Sequence, residues 1–269
     1  MKKDREISDA RQYYIAKANE IVQKARCDLT ITELKVLSYV FSMIKPTNTK
    51  DTEYIVDIKT YCKIAGIDHT NTGNYALIKS SLKKLRDKSF WITLEDGSET
   101  TIGWLAKAKI NRGTGKVRVK LDEDLSRYLI NLTGNYFQYQ FISILPMKNN
   151  ASILLYELLK SYVYNHSSIE ISMEELRKKL NYEHKYLDYR DFKKRIDLHV
   201  EEINMYTDLE VSYEKETYGR KVVGIIFYLK MKPHYSAIKT AIMNEMLLDK
   251  DNIDGQIGLI DYLDSIGEQ

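Results

Sequence analysis

Between Lys185 and Lys194 the chain reads KYLDYRDFKK, a run whose cations are spaced for polyanion chemistry. Arg190, Lys193 and Lys194 recur at intervals of three and four residues, which places them on one face of a helix. Each can donate charge-assisted hydrogen bonds to a phosphate oxygen, and a guanidinium also matches the paired acceptors of a guanine edge. Base and phosphate contacts remain equal alternatives for these groups. Lys185, Tyr186 and Tyr189 lie beside them, and Arg195 follows at the edge of the stripe with Asp191 and Glu202 as alternative partners. A solvated helix face is the plain alternative for Arg190, Lys193 and Lys194. A further group, Lys215, Tyr218, Arg220 and Lys221, brackets the turn Tyr218-Gly219-Arg220. A third, Lys107, Lys109, Arg112, Lys116 and Arg118, runs on to Lys120 without an intervening acid. That hairpin suits phosphate contact, and it equally suits an exposed strand pair in which edge lysines prevent aggregation.

The elements that must position these groups are legible around them. From Asp188, a helix N-cap, a period of 3.6 puts Phe192, Ile196, His199 and Ile203 on a buried stripe and Arg190, Lys193, Lys194 and Asp197 on the opposite face. Glu201 and Glu202 come late, away from the cationic start. Ser172 to Glu175 form a capping box before a short helix with Leu176 and Leu180 inward, and Asn181 to Leu187 form the loop between the two helices. Leu209, Val211 and Tyr213 alternate as a strand, and Val222 to Met231 return as a second. Helix, turn, helix, strand, basic turn, strand is the order of a winged helix, whose second helix meets the major groove with its first residues toward the bases.

The same order occurs earlier. Tyr13 to Arg26 reads as a helix, and Thr30 to Glu33 form another capping box before a helix through Leu34, Leu37, Val40, Phe41 and Ile44, stopped at Pro46. A strand from Tyr54 to Ile58 leads to a short helix ending at Gly66. A longer helix after Asn71 runs through Leu77, Ile78, Leu82 and Leu85. Phe90 to Leu94 and Thr101 to Ile110 read as strands, and a turn at Asn111 to Gly115 leads to the strand Lys116 to Leu121. A period of two gathers the hairpin's charge on one face. In the second half a helix through Ile153, Leu154, Tyr156, Leu158 and Leu159 precedes a strand Ile169 to Ile171. The expected fold class is therefore α+β, with two tandem winged-helix domains over 13–135 and 136–235, a polar segment over 1–12 and an acidic tail over 236–269.

The 269 residues, 43% hydrophobic, are enough for two such cores. The net charge of +3 divides unevenly: residues 236–269 carry −5, and the preceding 235 residues carry +8. A basic body suits a polyanion partner. Cys27 and Cys62 have neither metal-ligand spacing nor a disulfide framework, and no apolar run follows Met1 or reaches eighteen residues. A cytoplasmic protein without membrane contact is expected. No metal or cofactor is expected: the five histidines lack paired spacing, and no GxxxxGK[ST] loop occurs. His199 is assigned to core packing, and most of the 21 tyrosines to the two cores.

Several runs justify a family name. Ala25-Arg26-Cys27-Asp28-Leu29, Leu154 to Tyr162 (LLYELLKSY), Phe192-Lys193-Lys194-Arg195, Glu202-Ile203-Asn204, Thr207-Asp208-Leu209 and Gly219-Arg220-Lys221-Val222 resemble the iteron-binding replication initiators of theta-replicating plasmids, over roughly Tyr13 to Tyr235. The resemblance implies a non-enzymatic protein that binds double-stranded origin DNA at direct repeats, helps open AT-rich duplex and recruits host initiator and helicase. It also implies a homodimer through the first domain that represses its own gene at an inverted repeat. At Leu145 to Ser152 the run LPMKNNAS departs from the family's serine-and-tyrosine run, leaving Lys148 as the residue there to meet a phosphate. Two other functions compete: a winged-helix transcriptional repressor without an origin role, and a rolling-circle relaxase, whose tyrosine chemistry needs closely spaced metal-binding histidines that this sequence lacks. In the tail, QIGLI loosely resembles a peptide that docks on the sliding clamp, against the alternative of a solubilising tail.

Overall fold

The first described residues form a strand. Tyr14–Ala18 is β1, and only Asn19–Lys24 is helical, as α1, so the helix expected over 13–26 is corrected. The computed structural model describes residues 13–94, 96–110, 113–233, 235, 239, 240 and 242. Ile15, Ala18, Ile21 and Val22 fit a helical period, but β1 is recruited by antiparallel pairing with Tyr136–Gln140, which turns Ile15 and Lys17 inward. Long-range pairing overrides local pattern here.

The next elements follow the capping chemistry. Thr30 and Glu33 form the complete capping box: Glu33 N donates to Thr30 Oγ1 at 3.3 Å, and Thr30 N to Glu33 Oε2 at 3.0 Å. It opens α2 (Ile31–Phe41). After β2 (Glu53–Asp57) come α3 (Ile58–Ile64), capped by Asp57, and α4 (Thr72–Asp87), capped by Asn71. Strands β3 (Ser89–Thr93), β4 (Glu99–Gly103), β5 (Leu105–Ile110) and β6 (Lys116–Leu121) follow. A single helical turn, α5 (Glu123–Ser126), and β7 (Tyr136–Gln140) then lead to the second unit. That unit consists of α6 (Asn150–Lys160), β8 (Ser168–Ser172), α7 (Met173–Leu180), α8 (Tyr189–Tyr206), β9 (Leu209–Tyr218) and β10 (Lys221–Met231).

Sheet order shows the duplication better than any residue match. The first unit's sheet runs β2-β6-β5 and the second's β8-β10-β9, so in both the strand before the helix pair is an edge and the last strand is central. Two winged-helix units of α+β class result. The expected strand over 101–110 is in fact two. It breaks at Trp104, which is buried with its ring 4.3 Å from Phe90. Consequently β3 and β4 close a two-stranded sheet of their own, and β5, not β3, takes the place that β9 holds in the second unit.

The two units share one continuous hydrophobic core and a polar seam. Lys17 Nζ on β1 lies 2.6 Å from Glu157 Oε1 on α6, both almost wholly buried, and Tyr139 of β7 donates its hydroxyl to the same carboxylate. Nearby, Asn19 donates to Ser161 O at 2.9 Å, and Asn150 to Leu29 O at 3.0 Å. Removing one member of a buried pair strands the other charge away from water. Lys17→Met should therefore destabilise the protein by about 3–5 kcal/mol, read as a lowered urea midpoint, and Lys17→Met with Glu157→Gln should recover most of that loss.

Candidate nucleic-acid interface

The turn between α7 and α8 must expose cations without fraying, and it contains no glycine. Ser172 Oγ accepts from Glu175 N at 3.2 Å to start α7, the serine half of the expected box. Asn181 ends it in the left-handed region at φ 59°, the C-terminal conformation in which short polar side chains are tolerated. Beyond it the carbonyls find donors on one side chain: the Arg177 guanidinium donates to Lys185 O and Tyr186 O at 2.8 Å each, to Leu187 O at 3.2 Å and to Tyr182 O at 3.5 Å. Its flat face stacks on Phe192, 4.5 Å from the ring centroid. Asp188 then accepts from Arg190 N at 2.7 Å and starts α8.

Helix α8 buries Phe192, Ile196, His199, Val200 and Ile203 and exposes Arg190, Lys193, Lys194 and Arg195, as its period requires. Lys185 is exposed on the turn, and Tyr186 and Tyr189 are half-buried. Lys193 pairs with Asp197 at 2.7 Å and Lys194 with Asp191 at 3.4 Å, both exposed intrahelical pairs of small net worth that a phosphate can displace. Arg195 takes neither Asp191 nor Glu202; its guanidinium lies over the Tyr186 ring, 4.7 Å from the centroid. The wing is the β9–β10 hairpin, turned at Gly219 with φ 62°. Tyr218 is 84% exposed at its tip, and Lys215, Arg220 and Lys221 are exposed beside it. Wing and helix meet at Asp197, which accepts from both Tyr213 and Lys193.

The first unit's cations lie on a separate sheet and are partly neutralised, contrary to the hairpin's acid-free sequence. Lys107 and Arg118 reach Glu53 at 3.5 and 3.3 Å, and Lys120 reaches Asp51 at 2.7 Å, because β2 pairs alongside β6. Lys109 and Lys116 are exposed without an acidic partner among the described residues, and Arg112 lies outside those residues. Helix α4, the counterpart of α8, has no cation in its first turn and carries Lys79, Lys83, Lys84 and Arg86 further on.

Glu202 has a role its place in the sequence did not suggest. It accepts from Lys148 N at 2.7 Å, Asn149 Nδ2 at 3.2 Å and the Ser152 hydroxyl, so a carboxylate sits at the start of α6. His199, expected as simple packing, is buried in a hydrogen-bonded chain: Ser152 Oγ is 2.8 Å from Nδ1, and Tyr182 OH is 2.8 Å from Nε2. With Ser152 donating to Glu202, a neutral imidazole donates from Nδ1 to Ser152 and accepts at Nε2 from Tyr182. Reasoning from sequence also missed Arg177. The available signal was a glycine-free turn whose carbonyls needed a donor.

Two family models match parts of the chain. The one described as "Initiator Replication protein, WH1" matches residues 14–160, and "Initiator Rep protein, WH2" matches 172–229. This chain belongs to the initiator replication protein family. In it α2 to β6 lie within WH1, and the α7–α8 turn and the wing lie within WH2. None of the curated proteins matches the initiator. The crystal structure of domains 2 and 3 of RctB is similar at 13% identity and a TM-score of 0.48, over 82% of this chain and 92% of that one. Among the described residues no cluster of three or more histidine, cysteine or acidic side chains is placed to hold a metal. No described helix is long and apolar enough to cross a membrane.

Burial holds His199 down at about 4 from its ordinary 6.5, against the raising influence of Glu202. The unfolded chain then binds a proton that the folded initiator refuses between these values, so stability rises with pH from about 4 to 6.5 and falls on acidification. The urea midpoint of the wild type should drop across that window, and His199→Gln should flatten the part of the drop that belongs to this group. Equal slopes for both proteins would remove His199 as the cause.

Proposed function

We propose that this initiator binds direct repeats in double-stranded plasmid origin DNA through its second unit, over 136–235. The start of α8 and its turn face the bases, and the wing's Lys215, Tyr218, Arg220 and Lys221 meet the backbone. The first unit, over 13–135, adds phosphate contacts from Lys107, Lys109, Arg112, Lys116 and Arg118 and carries the homodimer contact. Copies bound in a row open AT-rich duplex by binding and bending, without catalysis, and recruit host initiator and helicase. The dimer represses the protein's own gene at an inverted repeat.

One contrast carries this reading: α8 starts with exposed Arg190, Lys193 and Lys194 behind a braced turn, whereas the first turn of α4 has no cation. In a helix-turn-helix unit the first residues of the second helix point at base edges. Footprinting of the DNA around the gene should show evenly spaced protected repeats, and Arg190→Ala with Lys194→Ala should abolish them. Protection of a lone operator, with no repeats in the replicon, would instead make the protein a transcriptional repressor.

Auxiliary contacts have their own measure. Deleting one cation that touches a phosphate reduces the slope of log K against log salt by roughly one. Lys109→Ala with Lys116→Ala should weaken binding similarly on all sequences and lower that slope by about two. An unchanged slope would mean that the first unit does not touch the backbone.

A further inference from the structure

Leu187 is 74% exposed, more than Ile55 at 54% or Leu77 at 49%, and it sits at the end of the α7–α8 turn, just before the cap of α8. A single exposed leucine on a soluble protein ordinarily means little. Here the backbone on both sides of it is fixed. Arg177 takes up the carbonyls of Lys185, Tyr186 and Leu187, and Asp188 caps the helix immediately after. Tyr186 is held at φ 52°, a conformation that non-glycine residues adopt only where the surroundings impose it, and strain of this kind gathers at binding sites. The leucine is therefore presented outward by a built loop, with exposed Lys185 before it and exposed Arg190 after it.

Cations around one apolar group describe a particular counterpart. In the major groove of DNA the phosphates supply the charge, and the 5-methyl of thymine is the apolar group among the base edges. We propose that Leu187 packs against the 5-methyl group of a thymine and makes the protein read that base, with Arg177 as the positioning residue that aims it. This rests on the DNA reading above and adds a contact that charge alone does not provide. Arg177 contributes geometry: its fork reaches four carbonyls of the turn while its flat face stacks on Phe192, a combination that a lysine at the same place cannot reproduce.

Deoxyuridine differs from thymidine only by that methyl, so the contact can be removed from either side. A duplex selected from a random pool by the full-length protein is prepared with each thymine replaced singly by deoxyuridine, and affinities are measured for wild type, Leu187→Ala and Leu187→Met. One replacement should weaken wild-type binding about three- to tenfold, on the scale of burying one methyl group. Leu187→Ala should be indifferent to that replacement, and Leu187→Met should retain part of the effect. Arg177→Lys should lose the same thymine preference while its non-specific, salt-sensitive binding persists. If every replacement costs wild type and Leu187→Ala the same, the leucine reads no thymine and the inference falls, while selective binding stands. If selection enriches no sequence, the DNA reading falls and takes this inference with it.

Discussion

Two opposite charges held out of water, Lys17 on β1 and Glu157 on α6, fix how the halves of this protein meet. Taking such a pair from solvent costs several kcal/mol per ion unless the geometry and added hydrogen bonds compensate, and a 2.6 Å contact with the Tyr139 hydroxyl on the same carboxylate supplies both. The arrangement holds only if residues 14–18 are extended, since the pairing of Lys17 with Phe137 in β7 is what turns the lysine inward. Helix α6 serves the second unit's core with one face and this seam with another. From the seam the constraint reaches the recognition end: Lys179 donates to the carbonyls of Val22, Gln23 and Ala25, Asn181 donates to Cys27 O, and Arg26 pairs with Glu183. The run Ala25 to Leu29, prominent in the sequence, is thus a brace against the helix-turn-helix.

Cations do two separate jobs in this molecule. Lys35 donates to Leu145 O and Met147 O, and burial draws its pKa down to about 8; Lys160, wholly buried, reaches Asp208 at 2.6 Å. With Lys17, Arg177 and Lys179 these side chains satisfy carbonyls and carboxylates inside the fold. The excess positive charge of the body therefore overstates what a polyanion meets. Of the cations that remain outward, one group lies on the α7–α8 turn, the start of α8 and the wing tip, and others lie along α4 and the β5–β6 hairpin.

Capping residues and periodic helices were legible because their causes are local: Thr30, Asn71, Ser172 and Asp188 each announce a helix start, and the stripe of α8 is buried as read. What escaped depends on partners distant in sequence. β1 is a strand because β7 lies beside it, the strand over 101–110 divides because Trp104 turns into the core, and Lys107, Arg118 and Lys120 of the hairpin are paired because Glu53 of β2 and Asp51 before it lie alongside. At the candidate site the cations were readable, and Arg195 over Tyr186 was not, since stacking on a ring depends on how the turn folds. The acidic tail, with its QIGLI run, lies almost wholly outside the described residues.

The carboxylate of Glu202 at the start of α6 bears on where a nucleic acid can approach. A helix start attracts anions through its free N–H groups and its dipole, and here that attraction is already met from within the protein. The amide of Lys148 and the side chains of Asn149 and Ser152 are already committed to Glu202, so an outside anion at this helix start would have to displace that carboxylate.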